Sequence, residues 1–211
     1  MTKRRTESKL ILASASPRRG EILNRLGIRF HVCPSSMPEP PRKPRETPAV
    51  YAVRAARLKA EEVALRQRSG LVLGADTIVV LGNTILGKPS CRAEARNMLR
   101  SLSGRWHEVI SGICLFRCSP RRVCSASGLS RVHFRRLSRA EIDWYLNTGE
   151  YHDKAGAYGA QGYASLFIDR IEGCYFNIVG LPIAVFERLC RRMGIDLAAK
   201  LIRDPKLETR D

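Results

Sequence analysis

The sequence predicts an α/β fold built on a mixed sheet. Short apolar runs of strand character alternate with stretches that are apolar at helical spacing, the order of a helix-flanked sheet. Two-residue turns between apolar runs interrupt that alternation with hairpins, which bring antiparallel neighbours. The 211 residues suffice for one sizeable core, as one domain or two joined lobes.

Residues 10–13 form a short apolar run ending at small polar residues, a buried strand. A helix follows from Pro17 to about Leu26, with Ile22, Leu23 and Leu26 on one face and Gly27 closing it. Residues 28–34, "IRFHVCP", suggest a second strand, and the prolines between Pro34 and Pro48 make an extended loop. Thr47 and Pro48 open a long helix to about Ser69, ended by Gly70. Its stripe is Val53, Ala56, Ala60 and Val63, with Lys59 beside it. "LVLGADTIVVLGNTILGKP" reads as a strand, a small-residue break at Gly74-Ala75, another strand and a Gly-Asn hairpin turn. Ser90 caps a helix to about Leu102. "HEVISGICLF" and "LSRVHFRRL" are paired strands with polar sequence between them. Ser138 to Glu141 is a capping box, and its helix ends near Asn147. A glycine-rich segment, strand-like "SLFIDRI" and "YFNIVG", and a helix from Pro182 to Gly194 complete the fold. The single domain spans 1–200, and 201–211 is a charged tail.

Composition narrows the function. The net charge of +17 favours phosphate-bearing partners, whether nucleic acid or small nucleotides, over a merely basic surface by no clear margin. The apolar run behind the basic N-terminus is about five residues, too short for a signal peptide. No run approaches the roughly 18 apolar residues of a membrane span. The expectation is a cytoplasmic protein with no membrane contact. Seven scattered cysteines form no CxxC pair, so Cys114, Cys118 and Cys124 read as structural thiols before they read as a zinc site.

The chemistry starts with an electrostatic conflict. Ser16 and Pro17 mark a helix N-terminus, where the dipole is positive, yet Arg18 and Arg19 follow at once. An anion at that terminus resolves it, with Ser14 and Ser16 as further donors. A solvated surface pair is equally compatible. If the anion reading holds, removing Arg19 leaves the unliganded protein as stable or slightly more so. Asp76 is placed at a strand end, where it either caps a turn or holds a divalent cation or a proton. Lys59 and Lys88 read singly as solvated residues that could face a phosphate, and Glu39 as a metal ligand on a flap or as nothing. In "DKAGAYGAQGY", glycines permit close approach to a ligand or simply a tight loop, and the Gln161 amide could read a base edge.

"LASASPRR", "RAARLKA", "GADTIVV", "GKP", "LSGRWHEVISG", "DKAGAYGAQG" and "YFNIVGLP" occur together in this order. That combination resembles the Maf family of nucleoside triphosphate pyrophosphatases, over residues 9–194. The resemblance implies an inosine triphosphatase-like fold, with a long twisted mixed sheet, flanking helices and two lobes around a cleft. It implies cleavage of a nucleoside triphosphate to the monophosphate and pyrophosphate with a divalent cation, Mg²⁺ or Mn²⁺. Asp76 matches the catalytic carboxylate, and Ser14, Arg18, Arg19, Lys59, Lys88 and Glu39 match the phosphate and metal site. The loop around Glu39 departs from the acidic pattern of the family, and the match needs a shift of about one residue. Arg18, Thr77 and Gln161 match the subgroup that prefers dTTP and UTP over 7-methyl-GTP. The family is also linked with arrest of septum formation. A homodimer, and weak non-specific nucleic-acid binding outside the cleft, are compatible with the sequence. A nucleic-acid-binding protein is the competing class, but no helix-turn-helix, RNA-binding or zinc-finger signature supports it.

Overall fold

A computed structural model describes residues 9–198 of the chain. The basic N-terminal stretch before Lys9 and the 201–211 tail lie outside the described residues. The described elements are β1 (Leu10–Leu12), α1 (Pro17–Arg25), β2 (Phe30–Val32), α2 (Pro48–Leu65), β3 (Leu71–Leu81) and β4 (Thr84–Leu86). They continue with α3 (Arg92–Leu102), β5 (Trp106–Arg117), β6 (Arg122–Phe134) and α4 (Arg139–Asn147). Last come β7 (Ile168–Glu172), α5 (Tyr175–Val179) and α6 (Ile183–Arg192). Among the described residues the strands form a sheet of order β2-β1-β3-β5-β6-β7, with β4 also on β3. β1 pairs parallel with β2 and β3, and the remaining pairs are antiparallel. The sheet is therefore mixed, as the sequence predicts.

The long strands β3, β5 and β6 carry the chain from one lobe to the other. Leu71 and Leu73 of β3 pack with Ile22, Leu23, Phe186 and Leu189 from α1 and α6. Val79, further along the same strand, packs with Leu99, Leu102, Tyr145 and Phe167 in the second lobe. Val72 points to the opposite face, into a cluster with Ala56, Ala60 and Val63 of α2.

The expected break at Gly74-Ala75 does not exist, because β3 runs unbroken from Leu71 to Leu81. Gly74 answers a different need. A Cβ on it would stand 2.2 Å from the Ala56 carbonyl oxygen and 2.8 Å from the Ala60 Cβ. A Cβ on Gly112 of β5, which pairs with Asp76, would stand 2.2 Å from the Ala52 carbonyl oxygen. Alanines on the helix and glycines on the strands let α2 lie with its backbone almost on the sheet.

The cap signals are partly borne out. Thr47 accepts from the Val50 N–H, and the Ser138–Glu141 capping box is formed. The α3 helix is capped one residue late, at Cys91, while Ser90 gives both its N–H and its hydroxyl to Glu94, each at 2.7 Å. "YFNIVG" is a short helix, not a strand. Its run is too brief for periodicity to decide, and its burial is helical, with Asn177, Ile178 and Val179 all inward. "SLFIDRI" splits into a 3₁₀ turn over Tyr163–Phe167 and then β7. The polar residues before "LSRVHFRRL" belong to β6, because pairing with β5 continues in register out to Arg117 and Arg122. Cys114 packs against α2 while Cys124 packs on the other face of the sheet, which separates those two thiols. Among the described residues no helix is long and apolar enough to cross a membrane.

Candidate active site

The site lies where β3 loses a neighbour. One edge of β3 pairs with β1 as far as Leu73 and with β4 only from Val79. Between those points, among the described residues, no strand covers that edge. Asp76 and Thr77 sit in the gap, so Asp76 lies inside a strand and not at its end as the sequence suggested. A cavity of about 650 Å³ opens there. It is lined by all ten residues singled out from the sequence: Ser14, Ser16, Arg18, Arg19, Glu39, Lys59, Asp76, Thr77, Lys88 and Gln161.

Alternation along β3 turns Asp76 toward α2 and Thr77 toward α1. Lys59, between the Ala56 and Ala60 contacts at Gly74, places its Nζ 2.5 Å from Asp76 Oδ1. Asp76 is buried, and this pair compensates its charge. The more exposed Lys88 pairs with Glu39 Oε1 at 3.0 Å. The proline-rich loop that carries Glu39 is tied to α2, since Arg54 Nε meets Glu46 Oε1 at 2.6 Å and Arg54 also reaches the Pro41 carbonyl. The Tyr51 hydroxyl is pushed up by burial first and then by the charges of Asp76 and Glu39, so both carboxylates act on one ring.

Arg19 is structural as well as cationic. Its Nε donates to the Gly180 carbonyl at 2.9 Å, one terminal nitrogen to Ser14 Oγ at 2.7 Å and the other to Thr77 Oγ1 at 3.2 Å. These bonds tie α1 to β3 and to the end of α5. The sequence reading that its removal spares stability is therefore wrong. Three of five guanidinium N–H groups are committed, and two remain for an anion. Burial pushes this guanidinium down to about 10, against the opposing pull of Asp76 and with a further push from Arg18. It stays charged at neutral pH. Ser14 Oγ accepts from both Arg19 and the Ser16 N–H, at 2.7 and 3.2 Å. Both its lone pairs are used, so its hydrogen is left to donate. Ser16 occupies the cap position of α1 without bonding the helix through its side chain. No acidic residue stands in the first turn.

The glycine segment closes the opposite wall. Gly156 adopts φ +67° with Val79 carbons only 3.0 Å from where a Cβ would be, and its N–H bonds the Gly87 carbonyl beside Lys88. Gly159 and Gly162 make room for side chains of this chain. A Cβ on Gly162 would fall 2.0 Å from Glu150 Oε2, and one on Gly159 would fall 2.8 Å from Lys154 Cε. Glu150 accepts from the Tyr163 N–H at 2.7 Å and from the Tyr145 hydroxyl at 3.2 Å, which pins the loop that exposes Gln161. Lys154 lines the cavity; burial lowers it first, and the charge of Arg18 lowers it further. Lys154 and Glu150 are not among the residues the sequence singles out. Lys154 stands inside "DKAGAYGAQG", a signal that points to it, whereas nothing local marks Glu150.

For a divalent cation, Asp76 and Glu39 offer hard oxygen donors from two walls of one cavity. Among the described residues Asp76 Oδ2 accepts from no protein group, while Oδ1 is held by Lys59. No cluster of three metal-ligating side chains is present among the described residues. That donor set fits Mg²⁺ or Mn²⁺, which take one or two carboxylates and complete their shell with water and phosphate oxygens.

Fold and site together define an α/β protein with a basic, carboxylate-bearing cleft at an open sheet edge. Residues 9–193 match the family described as Maf-like protein, and the chain belongs to that family. A protein of Syntrophomonas wolfei, named dTTP/UTP pyrophosphatase, is 48% identical over 86% of this chain and 96% of its own length. A protein of Pyrococcus furiosus with the same name is 43% identical over 92% of this chain and 98% of its own. A solved HAM1 protein structure from Coxiella burnetii is 18% identical, covers 63% of this chain and 75% of that one, and has a TM-score of 0.41.

Proposed function

We propose that this chain hydrolyses nucleoside triphosphates, dTTP and UTP foremost, to the monophosphate and pyrophosphate. The observation that carries the reading is the convergence of Arg18, Arg19, Lys59, Lys88 and Lys154 with Asp76 and Glu39 on one cavity. The names of the relatives supply the substrate class. The α1 N-terminus, Arg18, Arg19 and the Ser14 hydroxyl hold phosphate oxygens. Lys88 and Lys154 meet the charge that grows on the leaving pyrophosphate. Asp76 Oδ2 takes a proton from the attacking water or would serve as a ligand to a divalent cation, and Lys59 keeps the carboxylate in place. A divalent cation held by Asp76 and Glu39 would offset phosphate charge and polarise the α-phosphate. Arg18, Thr77 and Gln161 surround the base.

The test is a panel of nucleoside triphosphates with Mg²⁺ or Mn²⁺, scored for pyrophosphate release. dTTP and UTP should lead it. A chain that releases pyrophosphate from none, or best from 7-methyl-GTP, would overturn the reading. The +17 charge supports a separate, weak affinity for nucleic acid, whose signature is a steep loss of binding with salt. A homodimer and a cytoplasmic location are part of the same reading.

A further inference from the structure

A chain of hydroxyls behind the cleft fixes the direction of one hydrogen bond inside it. It starts at α5, where the Asn177 amide nitrogen is anchored to the Val109 carbonyl at 2.8 Å and to Ser130 Oγ at 3.1 Å. The Asn177 main-chain carbonyl lies 2.9 Å from Ser111 Oγ. A carbonyl only accepts, so Ser111 spends its one hydrogen there. Ser111 Oγ is also 2.8 Å from Thr77 Oγ1. With Ser111 already committed, Thr77 must be the donor of that bond. Arg19, which only donates, takes one lone pair of Thr77 at 3.2 Å. Thr77, which lines the cavity, is therefore left with one lone pair to offer and no hydrogen. Ser14 is polarised in the opposite sense by the same guanidinium and faces the cavity as a donor.

We propose that the buried Ser111 is a positioning residue for base selection. It locks Thr77 as a pure acceptor, so the cleft takes a base that presents N–H and rejects one that presents a lone pair at that point. Among pyrimidines this selects the imide N–H of uracil or thymine against the bare ring nitrogen of cytosine. The Gln161 amide can turn over to suit either base, whereas Thr77 cannot while Ser111 holds its hydrogen. The inference rests on the nucleotide reading above and adds a cause for its base preference.

Ser111→Ala releases the Thr77 hydrogen, and Thr77 can then donate to cytosine. The Asn177 carbonyl keeps a partner in the Gly180 N–H at 3.1 Å, so the variant leaves no orphaned acceptor there. kcat/KM is measured for UTP, dUTP and CTP on the parent, Ser111→Ala and Thr77→Val, with melting temperatures as the check on folding. Binding of the α,β-methylene analogues of UTP and CTP is measured beside it, because those cannot be cut. In Ser111→Ala the UTP/CTP ratio should fall about tenfold, with CTP rising in absolute value. Damage to the fold cannot produce that rise. Thr77→Val should lower UTP without raising CTP. Ser111→Cys, whose thiol is a weak partner, should give a smaller shift of the same sign and serves if the alanine variant does not fold. An unchanged ratio in both Ser111 variants overturns the proposal. So does a change confined to UTP against dUTP, which would put Thr77 on the sugar. Analogues that bind with no triphosphate hydrolysed would sink the proposed reaction, while their affinity ratio still decides the role of Ser111. A chain that binds neither analogue sinks both.

Discussion

Gly74→Ala should disable the site without touching it. The added Cβ would stand 2.2 Å from the Ala56 carbonyl oxygen and 2.9 Å from the Ala60 nitrogen, where ordinary contact begins near 3.4 Å. The obstruction is helix backbone, so no side chain can swing away. The α2 helix must rise from the sheet by about 1 Å, and interiors resist such shifts. Overpacking of this kind costs about 1–3 kcal/mol. Lys59 stands between Ala56 and Ala60 and moves with them. Its 2.5 Å contact with Asp76 is then lost or lengthened. A displacement of about 1 Å in a catalytic array costs on the order of 10²-fold in rate. Urea unfolding and pyrophosphate release, read on the same preparation, give the two effects.

The comparison that isolates the cause is Gly112→Ala. Its Cβ would meet α2 at Ala52, two turns before Lys59, with the same 2.2 Å separation from a carbonyl oxygen. Stability should fall by a similar amount, but activity should fall less than in Gly74→Ala. If Gly74→Ala melts and turns over like the parent, the close helix–strand contact is not what places Lys59. If the two variants lose activity equally, displacement of Lys59 is not what sets Gly74→Ala apart, and the local account fails.

Asp76→Asn should fold, lose about 1–3 kcal/mol because Lys59 keeps a charge without its full partner, and lose about 10²–10⁴-fold in kcat; turnover within threefold of the parent removes Asp76 from the chemistry. Arg19→Ala should destabilise the unliganded protein by about 2 kcal/mol for its three lost bonds, read as a lower melting temperature, and should abolish the shift given by a non-hydrolysable dTTP analogue. A retained shift would take the anion away from Arg19. His107 is buried against Phe134 and bonded to the Tyr158 hydroxyl, and burial pushes its ring from 6.5 down to about 4. The unfolded ring takes a proton first as pH falls, so stability present above pH 6.5 is lost progressively toward pH 4, on the order of 3 kcal/mol in all. Glu46 and Glu141, held near 2 by Arg54 and Arg135, lose their contributions only at lower pH. The loss between pH 6.5 and 5 should therefore vanish in His107→Phe, and its persistence there would assign it to another group.

What was legible in the sequence is what is local. The clash of Arg18 and Arg19 with a helix N-terminus is a contradiction within four residues, and it led to the cavity. Thr47 and Ser138 announce their helices through caps that need only their own first turns. What was illegible depends on distant partners. Gly74 looked like a break because its reason lies on α2. Asn177 looked like part of a strand because its amide answers to Val109 and Ser130, far off in sequence. Lys59 read as an exposed helix residue until β3 set Asp76 opposite it. Glu150 carries no motif, and only the folded loop shows that Gly162 exists to admit its carboxylate.

The charge of the cavity argues for what completes it. Arg18, Arg19, Lys59, Lys88 and Lys154 line it against Asp76, Glu39 and Asp153, an excess of two positive charges. A bound triphosphate brings about four negative charges. Protein alone therefore leaves about two uncompensated in a partly buried site, which one divalent cation would balance. Asp76 and Glu39 are each paired with a lysine in the unliganded chain, and both line the cavity with carboxylate oxygens. The expected result is that EDTA weakens binding of an α,β-methylene dTTP analogue by about tenfold or more, equivalent to about 1.4 kcal/mol, and that Mg²⁺ or Mn²⁺ restores it. Asp76→Asn and Glu39→Gln should each blunt that metal dependence, because each removes a charged donor. Affinity that ignores EDTA in the parent would mean that the basic side chains suffice and that the carboxylates serve some purpose other than holding a metal.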